Sequence, residues 1–563
     1  MAGERALEDH PRGAFVDARR AASARSAAAP PPERETVGRW RAGTFDRATA
    51  RSLAIVLALA LPVLALRLVT PYELQETDQG KQSQYVLDVV QNGNWLAPGC
   101  LGAAATKPPL LTWLAALVTT ATGRLDETTI QVPSILAGLG TVLVTWDIVR
   151  RLSGPRVAAA AAVSLATSYH FLRIAGLVRT DGLLGLMLAA QVLVYVRSIG
   201  RPAMPWIGVA MSCLLCTAAC LAKGYGGLLS SGVVALHLWL TDRRHRIARE
   251  AAVPAAVGAI VLGAWFVAAD SVRDDVSDVL GSELLRHTNG SGFPNLAYYL
   301  LTTPLRLAPW VLLLPVATLA TIRALRRRGA ADLPPLVSLA LAWVGVHLVT
   351  YSVIPHQRPD LIYPAEPAVL MLVALCVRRR SPAWAPVALT AGLALAAGLA
   401  VSPLAENLFP HEAPASTGPI VAAVLAGGAL VTWRWRRDAA AACFAGLAAA
   451  GLGNATIWTI GDGPSAGRAS YAAFGERARA EAQRRGVPLL AAGFDKPAPL
   501  FDLRISTRPR PPGTLAGSRD DALVVTIPAA IARVARALGP CTVIDRHIAP
   551  QADRTSLVLL ARR

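Results

Sequence analysis

The apolar residues of this chain are gathered into runs of about 17 to 23 residues, each long enough as a helix to cross a hydrocarbon core about 30 Å thick. Short Arg-rich loops separate the runs at regular alternate breaks. Only 17% of the 563 residues are charged and 53% are hydrophobic, whereas a soluble domain carries about 25% charged residues. The runs are rich in Ala, Leu, Val and Gly, so they read as helices; barrel strands would alternate apolar and polar over about ten residues. The chain is therefore expected to be an all-α polytopic membrane protein.

The positive-inside rule orients it. Arg41, Arg47 and Arg51 flank the first run, and further Arg clusters follow at 150–156, 197–201, 243–249, 323–328, 378–380 and 434–437. Each falls on the inner side when spans are placed at 53–70, 130–147, 157–171, 182–196, 206–222, 225–240, 253–269, 307–322, 336–353, 363–377, 384–401, 418–433 and 439–460. This predicts about thirteen transmembrane helices in a membrane domain, 51–460. It also predicts a disordered basic cytoplasmic tail at 1–50, since that stretch has no short apolar core followed by a cleavage site. A large first outer loop covers 71–129, in which the apolar stretch 110–122 lies on the membrane surface. Residues 461–563 change character. Short strands at 488–494, 522–527, 541–545 and 556–561, with helices around 470–485 and 529–538, predict a small α/β domain on the outer side. The net charge of +19 is accounted for by the inner loops, so no nucleic-acid partner is expected.

The same topology sorts the polar residues. Asp78, Lys107, Arg179, Asp181, Lys223, Arg286, His287, His356, Arg358 and Asp360 all fall on the outer face. Ionisable groups at the membrane edge are candidates for function, and this set suits an anionic ligand near the headgroups. Other features have plainer readings. Cys213, Cys216 and Cys220 share one helical face and read as small-residue packing. His170, His237 and His347 read as core or span-end residues. Cys100 and Cys541, both on the outer side, are a candidate disulfide pair.

The outer loop carries Asp78-Gln79-Gly80-Lys81, then Gly93-Asn94-Trp95 with Pro98, then Lys107-Pro108-Pro109-Leu110. Further on come Arg179-Thr180-Asp181, Lys223-Gly224, and Arg358-Pro359 followed by Tyr363, Pro364 and Pro367. In this order, over about residues 50–460, the set resembles the aminoarabinose transferase and protein mannosyltransferase superfamily of C-type membrane glycosyltransferases. The resemblance implies an inverting transfer of a sugar from a polyprenyl-phosphate (undecaprenyl-phosphate) donor. The acceptor would be a lipid A-like molecule, a glycan or a protein at the outer face of a bacterial inner membrane. It implies Asp78 and Asp181 as catalytic residues, with Lys107, Lys223, Arg358 and Arg179 on the donor phosphate. Tyr85, Trp95, His356 and Tyr363 would line the substrate pocket. The family's usual second acid is here Gln79, and a divalent metal ion is left open. Two alternatives stand beside this reading: a transporter or flippase of a lipid-linked intermediate, and a catalytically degenerate homologue that acts as a binding protein.

Overall fold

The computed structural model describes residues 46–69, 74, 78–279, 281–282, 296–329, 332–354, 357–378, 385–402, 417–461, 471–515, 522–548 and 556–562. The chain divides into Met1–Arg47 and Ala48–Arg563. The tail expected at 1–50 lies almost wholly outside the described residues, as do Arg286, His287 and His356.

Among the described residues, seven helical segments are long and apolar enough to cross a bilayer: Arg47–Val69, Glu127–Ser153, Trp206–Leu240, Arg244–Asp270, Pro335–Val353, Pro359–Arg378 and Ala439–Thr456. The pair Pro155–Ala166 and Tyr169–Ala175, bent by 66°, makes an eighth. Leu110–Thr122, Thr180–Val196, Ala385–Ala400 and Gly418–Arg434 are shorter apolar helices. The chain is a multi-pass membrane protein, but the helices of full spanning length are fewer than the thirteen expected. Several expected spans are short or broken. The run 157–171 bends, and 307–322 becomes α-helical only from Leu314, after a turn at Leu307–Pro309 that follows the helix Leu296–Arg306 and a short 3-10 segment at Trp310–Leu313. A proline lacks the N–H that a continuous helix needs there.

The stretch 206–240 is apolar apart from Lys223 and His237 yet turns back on itself. Gly224 adopts φ 61°, and Ser231 Oγ returns to 3.8 Å from Cys216 Sγ. Fifteen residues along a straight helix would separate them by about 22 Å. The two expected spans are thus distinct helices, Trp206–Lys223 and Leu229–Leu240. A Cβ on Gly227 would stand 2.3 Å from the Cys220 backbone N, a contact that cannot relax without moving the turn beside Lys223. Gly227→Ala is expected to cost about 1–3 kcal/mol, read as a lower unfolding temperature of the detergent-solubilised protein. Cys216 and Cys220 pack against Gly258, where a Cβ would meet their Sγ atoms at 3.0 and 3.2 Å. This agrees with small-residue packing. All seven cysteines are free thiols, so Cys100 and Cys541 are not bridged.

The C-terminal region folds as expected into α/β structure. Strands β1 (Leu489–Ala492), β2 (Leu523–Thr526), β3 (Cys541–His547) and β4 (Leu557–Arg562) form one sheet in the order β1-β2-β4-β3. The pair β1/β2 is parallel and the other pairs are antiparallel. The central strands are apolar on both faces because both are covered. Tyr471, Phe474 and Ala478 pack against Leu523, Val525 and Leu559 on one side, and Val534 and Leu538 against Val524 and Leu560 on the other. The short helix Pro497–Asp502 docks this region on the helix Asp78–Asn92. Ala498 and Phe501 join Val86, Leu87, Val89, Ala115 and Ala116 in one buried cluster. Gln84 Nε2 donates to the Pro497 carbonyl at 3.0 Å, and the Arg504 guanidinium donates to the Leu125 carbonyl. Phe501→Ala is expected to cost about 3–5 kcal/mol and to expose the C-terminal region to limited proteolysis while the membrane helices stay intact.

Candidate active site

Five stretches distant in sequence meet at one end of the helices. They are the start of the helix Asp78–Asn92, the loop at Thr106–Pro108, the segment before Thr180–Val196, the Lys223–Gly226 turn, and Arg358–Leu361. Together they line a cavity of about 480 Å³. The backbone suits the charges it carries. Asp78 opens one helix and Asp181 lies in the first turn of another, where the dipole favours an anion. Lys223 is the last residue of the helix Trp206–Lys223, where the dipole favours a cation.

Arg179 is the hub. Its Nε lies 3.0 Å from Asp181 Oδ2, and its Nη2 lies 2.9 Å from Asp360 Oδ2 and 3.8 Å from Asp78 Oδ2. Arg358 Nη2 donates to Asp78 Oδ2 at 3.1 Å, and Lys223 Nζ donates to Asp181 Oδ1. Burial pushes the Asp78 carboxyl up, but Arg179, Arg358 and Lys107 outweigh it and hold the group below its usual 3.8. Burial likewise disfavours the Arg179 charge, yet Asp181, Asp360 and Asp78 raise its pKa above the ordinary value, so it is a permanent cation. The lining carries five cations (Lys81, Lys107, Arg179, Lys223, Arg358) and three carboxylates (Asp78, Asp181, Asp360). This leaves an excess of positive charge for an anionic ligand.

Tyr85 shapes the lysine loop. Its hydroxyl accepts from Thr106 N at 3.1 Å and lies 3.3 Å from Thr106 Oγ1, which holds Lys107 at the cavity. Burial pushes its phenol up to about 12, so it stays neutral. Of the other expected pocket residues, Trp95 is 39% exposed and is not part of the wall. Asp88 accepts from Asn94 Nδ2 at 2.9 Å and from Gly99 N at 2.8 Å, which pins the loop between them. The Trp95 carbonyl accepts from Trp113 Nε1 at 2.6 Å. Tyr363 is also absent from the wall. It is buried behind it, stacked on Phe171 with ring centroids 5.5 Å apart. Gly185 leaves the ring its room, since a Cβ there would stand 2.9 Å from Tyr363 Cε1.

The donor set does not fit a divalent cation. Asp78, Asp181 and Asp360 converge, but the Arg179 guanidinium occupies the point where they meet. Gln79 is buried, with its Oε1 accepting from Val178 N at 3.4 Å. Among the described residues no group of three His, Cys, Asp or Glu side chains could hold a metal. Sequence reasoning placed Asp360 on this face without a role, left Lys81 and Tyr225 out of the pocket, and did not connect His170 or Glu366 to it. Asp360 and Glu366 lie within the Arg358–Pro367 motif, whereas His170 carried no signal.

Residues 106–267 match the family model described as dolichyl-phosphate-mannose-protein mannosyltransferase. Among solved structures, the chain is similar to ArnT from Cupriavidus metallidurans bound to undecaprenyl phosphate. The TM-score is 0.69 at 18% identity, over 91% of this chain and 97% of that one. It is similar to the apo state of the same protein with a TM-score of 0.67 at 18% identity, over 91% of this chain and 98% of that one. No curated protein matches by sequence. The fold is that of the C-type membrane glycosyltransferases. The family model, over residues 106–267, agrees with the mannosyltransferase side of the resemblance read above from ordered motifs, and the structural likeness agrees with the fold it implies.

Proposed function

We propose that this protein is an inverting membrane glycosyltransferase that moves a sugar from a polyprenyl-phosphate donor to an acceptor at the outer face of the inner membrane. The observation that carries this reading is the cavity itself, in which Asp78 faces an excess of fixed cations. The N-terminus would be cytoplasmic and the C-terminal α/β domain extracytoplasmic, as the Arg-rich loops require. In the reaction, the acceptor oxygen attacks the anomeric carbon from the face opposite the phosphate, and the bond from that carbon to the phosphate oxygen breaks. The lipid phosphate leaves with one more negative charge. Arg179, Arg358, Lys107 and Lys223 stabilise that charge, the guanidinium groups through paired N–H donors. Asp78 takes the proton of an acceptor hydroxyl, and Asp181 orients Lys223 and Arg179.

The resting ion pairs give the site an order of events. Asp78 is a weak base while Arg358 and Arg179 hold it. A donor phosphate competes for the same guanidinium groups, and the carboxylate becomes more basic as they turn to the phosphate. Tyr85 and Lys81 lie on the wall where the sugar and acceptor would sit. The charges gather at helix ends (Asp78, Asp181, Lys223), whereas a transporter of the broken-helix type places its site near the bilayer midplane; this favours transfer over transport. The acceptor class, whether lipid A phosphate, glycan or protein hydroxyl, is tested by mass spectrometry of lipids, glycans and glycoproteins from a deletion strain. A sugar lost from one class is the expected result. An unchanged inventory, together with no binding of undecaprenyl phosphate by the purified chain, overturns the reading.

A further inference from the structure

We propose that His170 and Glu366 are positioning residues for the phosphate-binding end of the site, acting through Asp360 on Arg179. The inference rests on the reading of Arg179 as a ligand of the donor phosphate. His170 and Glu366 are both fully buried. The His170 ring stands between two carboxylates, with Nδ1 against Glu366 Oε1 and Nε2 3.2 Å from Asp360 Oδ1. The other oxygen of Asp360 receives Arg179 Nη2 at 2.9 Å. The four side chains thus form one line of alternating charge, Glu366, His170, Asp360, Arg179, that ends in the cavity.

A histidine that merely fills a core needs one acceptor. Here each ring nitrogen faces a carboxylate oxygen, and with both acids ionised the two contacts are satisfied when both nitrogens donate, which is the imidazolium form. A fully buried acid such as Glu366 carries a large desolvation cost unless it is paired and hydrogen-bonded. The 66° bend between Pro155–Ala166 and Tyr169–Ala175 places the ring there. The effect on the site is mechanical and electrostatic. With Oδ1 tied to the ring, Asp360 cannot rotate, and it shares its charge between His170 and Arg179. The guanidinium is fixed in orientation but keeps its attraction for a phosphate. The other groups facing this line are the Tyr363 ring, 6.1 Å from His170 edge-on, and Arg306, which acts on Asp360.

The test uses the full-length chain in detergent, with undecaprenyl phosphate and the neutral alcohol undecaprenol as probes. His170→Leu is expected to weaken undecaprenyl phosphate about tenfold, or 1.4 kcal/mol, and to leave undecaprenol unchanged. Glu366→Gln keeps a hydrogen-bonding partner for Nδ1 but removes its charge. It is expected to bind undecaprenyl phosphate like the wild type at pH 6 and about threefold to fivefold more weakly by pH 8.5, because the charge that helps to hold the second proton on the ring is gone. A neutral ring returns the full charge of Asp360 to Arg179, where it competes with the phosphate, so affinity falls as pH rises. The comparison is always with the wild type at the same pH, because the phosphate itself titrates with a second pKa of about 6. Equal losses for both lipids, or a Glu366→Gln variant that tracks the wild type at every pH, overturns the proposal. A wild type that fails to bind undecaprenyl phosphate overturns the functional reading instead and this inference with it.

Discussion

Asp78→Asn is expected to lower glycosyl transfer by about 10²–10⁴-fold while the protein folds normally and binds undecaprenyl phosphate at least as tightly as the wild type. The two effects separate because the carboxylate has two partners. It faces the cavity, where it would take the acceptor proton, and it holds Arg358 at 3.1 Å and Arg179 at 3.8 Å. An amide cannot act as the base, but it releases both guanidinium groups to the phosphate. The measurements are transfer from a labelled lipid-linked sugar in membranes and equilibrium binding of undecaprenyl phosphate to the purified chain. Unchanged transfer at normal expression removes Asp78 from catalysis. A parallel loss of binding and transfer makes it a structural residue. The depressed pKa of Asp78 adds a pH expectation. In the free enzyme the carboxylate is already ionised above its usual 3.8, so binding shows no step from Asp78 between about pH 5 and 8.

Arg179→Ala is expected to cost both stability and ligand binding. Arg179 is the common partner of Asp78, Asp181 and Asp360, and its side chain is only 14% exposed. Its removal leaves Asp181 with Lys223 but leaves Asp360 to share the one His170 ring with Glu366, so one negative charge of that line loses its counter-ion. Breaking a buried pair in this way costs about 3–5 kcal/mol. Donor affinity falls as well, since a bidentate phosphate ligand is gone. Adding Asp360→Asn removes one uncompensated charge and is expected to restore part of the thermal stability but none of the undecaprenyl phosphate affinity. If both recover together, Arg179 serves the fold and not the ligand. Arg179→Lys keeps the charge without the planar fork, and is expected to preserve stability better than binding.

Much of the fold was legible because a membrane leaves few choices. Unsatisfied backbone groups cannot face lipid, so long apolar runs become helices, and Arg clusters orient them. The α/β character of 461–563 was equally plain, because its strands are short apolar runs between polar loops. The count of spans was less so. Hydropathy reports how greasy a run is and says nothing of where it bends. Thr167–Ser168, Leu307–Pro309 and Gly224 break the helices at places that the surrounding hydropathy does not mark.

For the site, the residue types at motif positions were enough to nominate Asp78, Lys107, Arg179, Asp181, Lys223 and Arg358, and the alternation of Arg-rich loops put them on one face. Those two arguments need only local order in the chain. What the tertiary structure alone decided is the pairing: Arg179 at the meeting point of three carboxylates, Gln79 turned to the backbone at Val178, Trp95 and Tyr363 outside the cavity wall, and His170 linked to Asp360 and Glu366 across about 190 residues of chain. Sequence spacing carries no information about such contacts, because they depend on how helices distant in the chain pack and where one of them breaks. The opposing charges then select their partners by distance at a partly buried site, where an unpaired charge is costly.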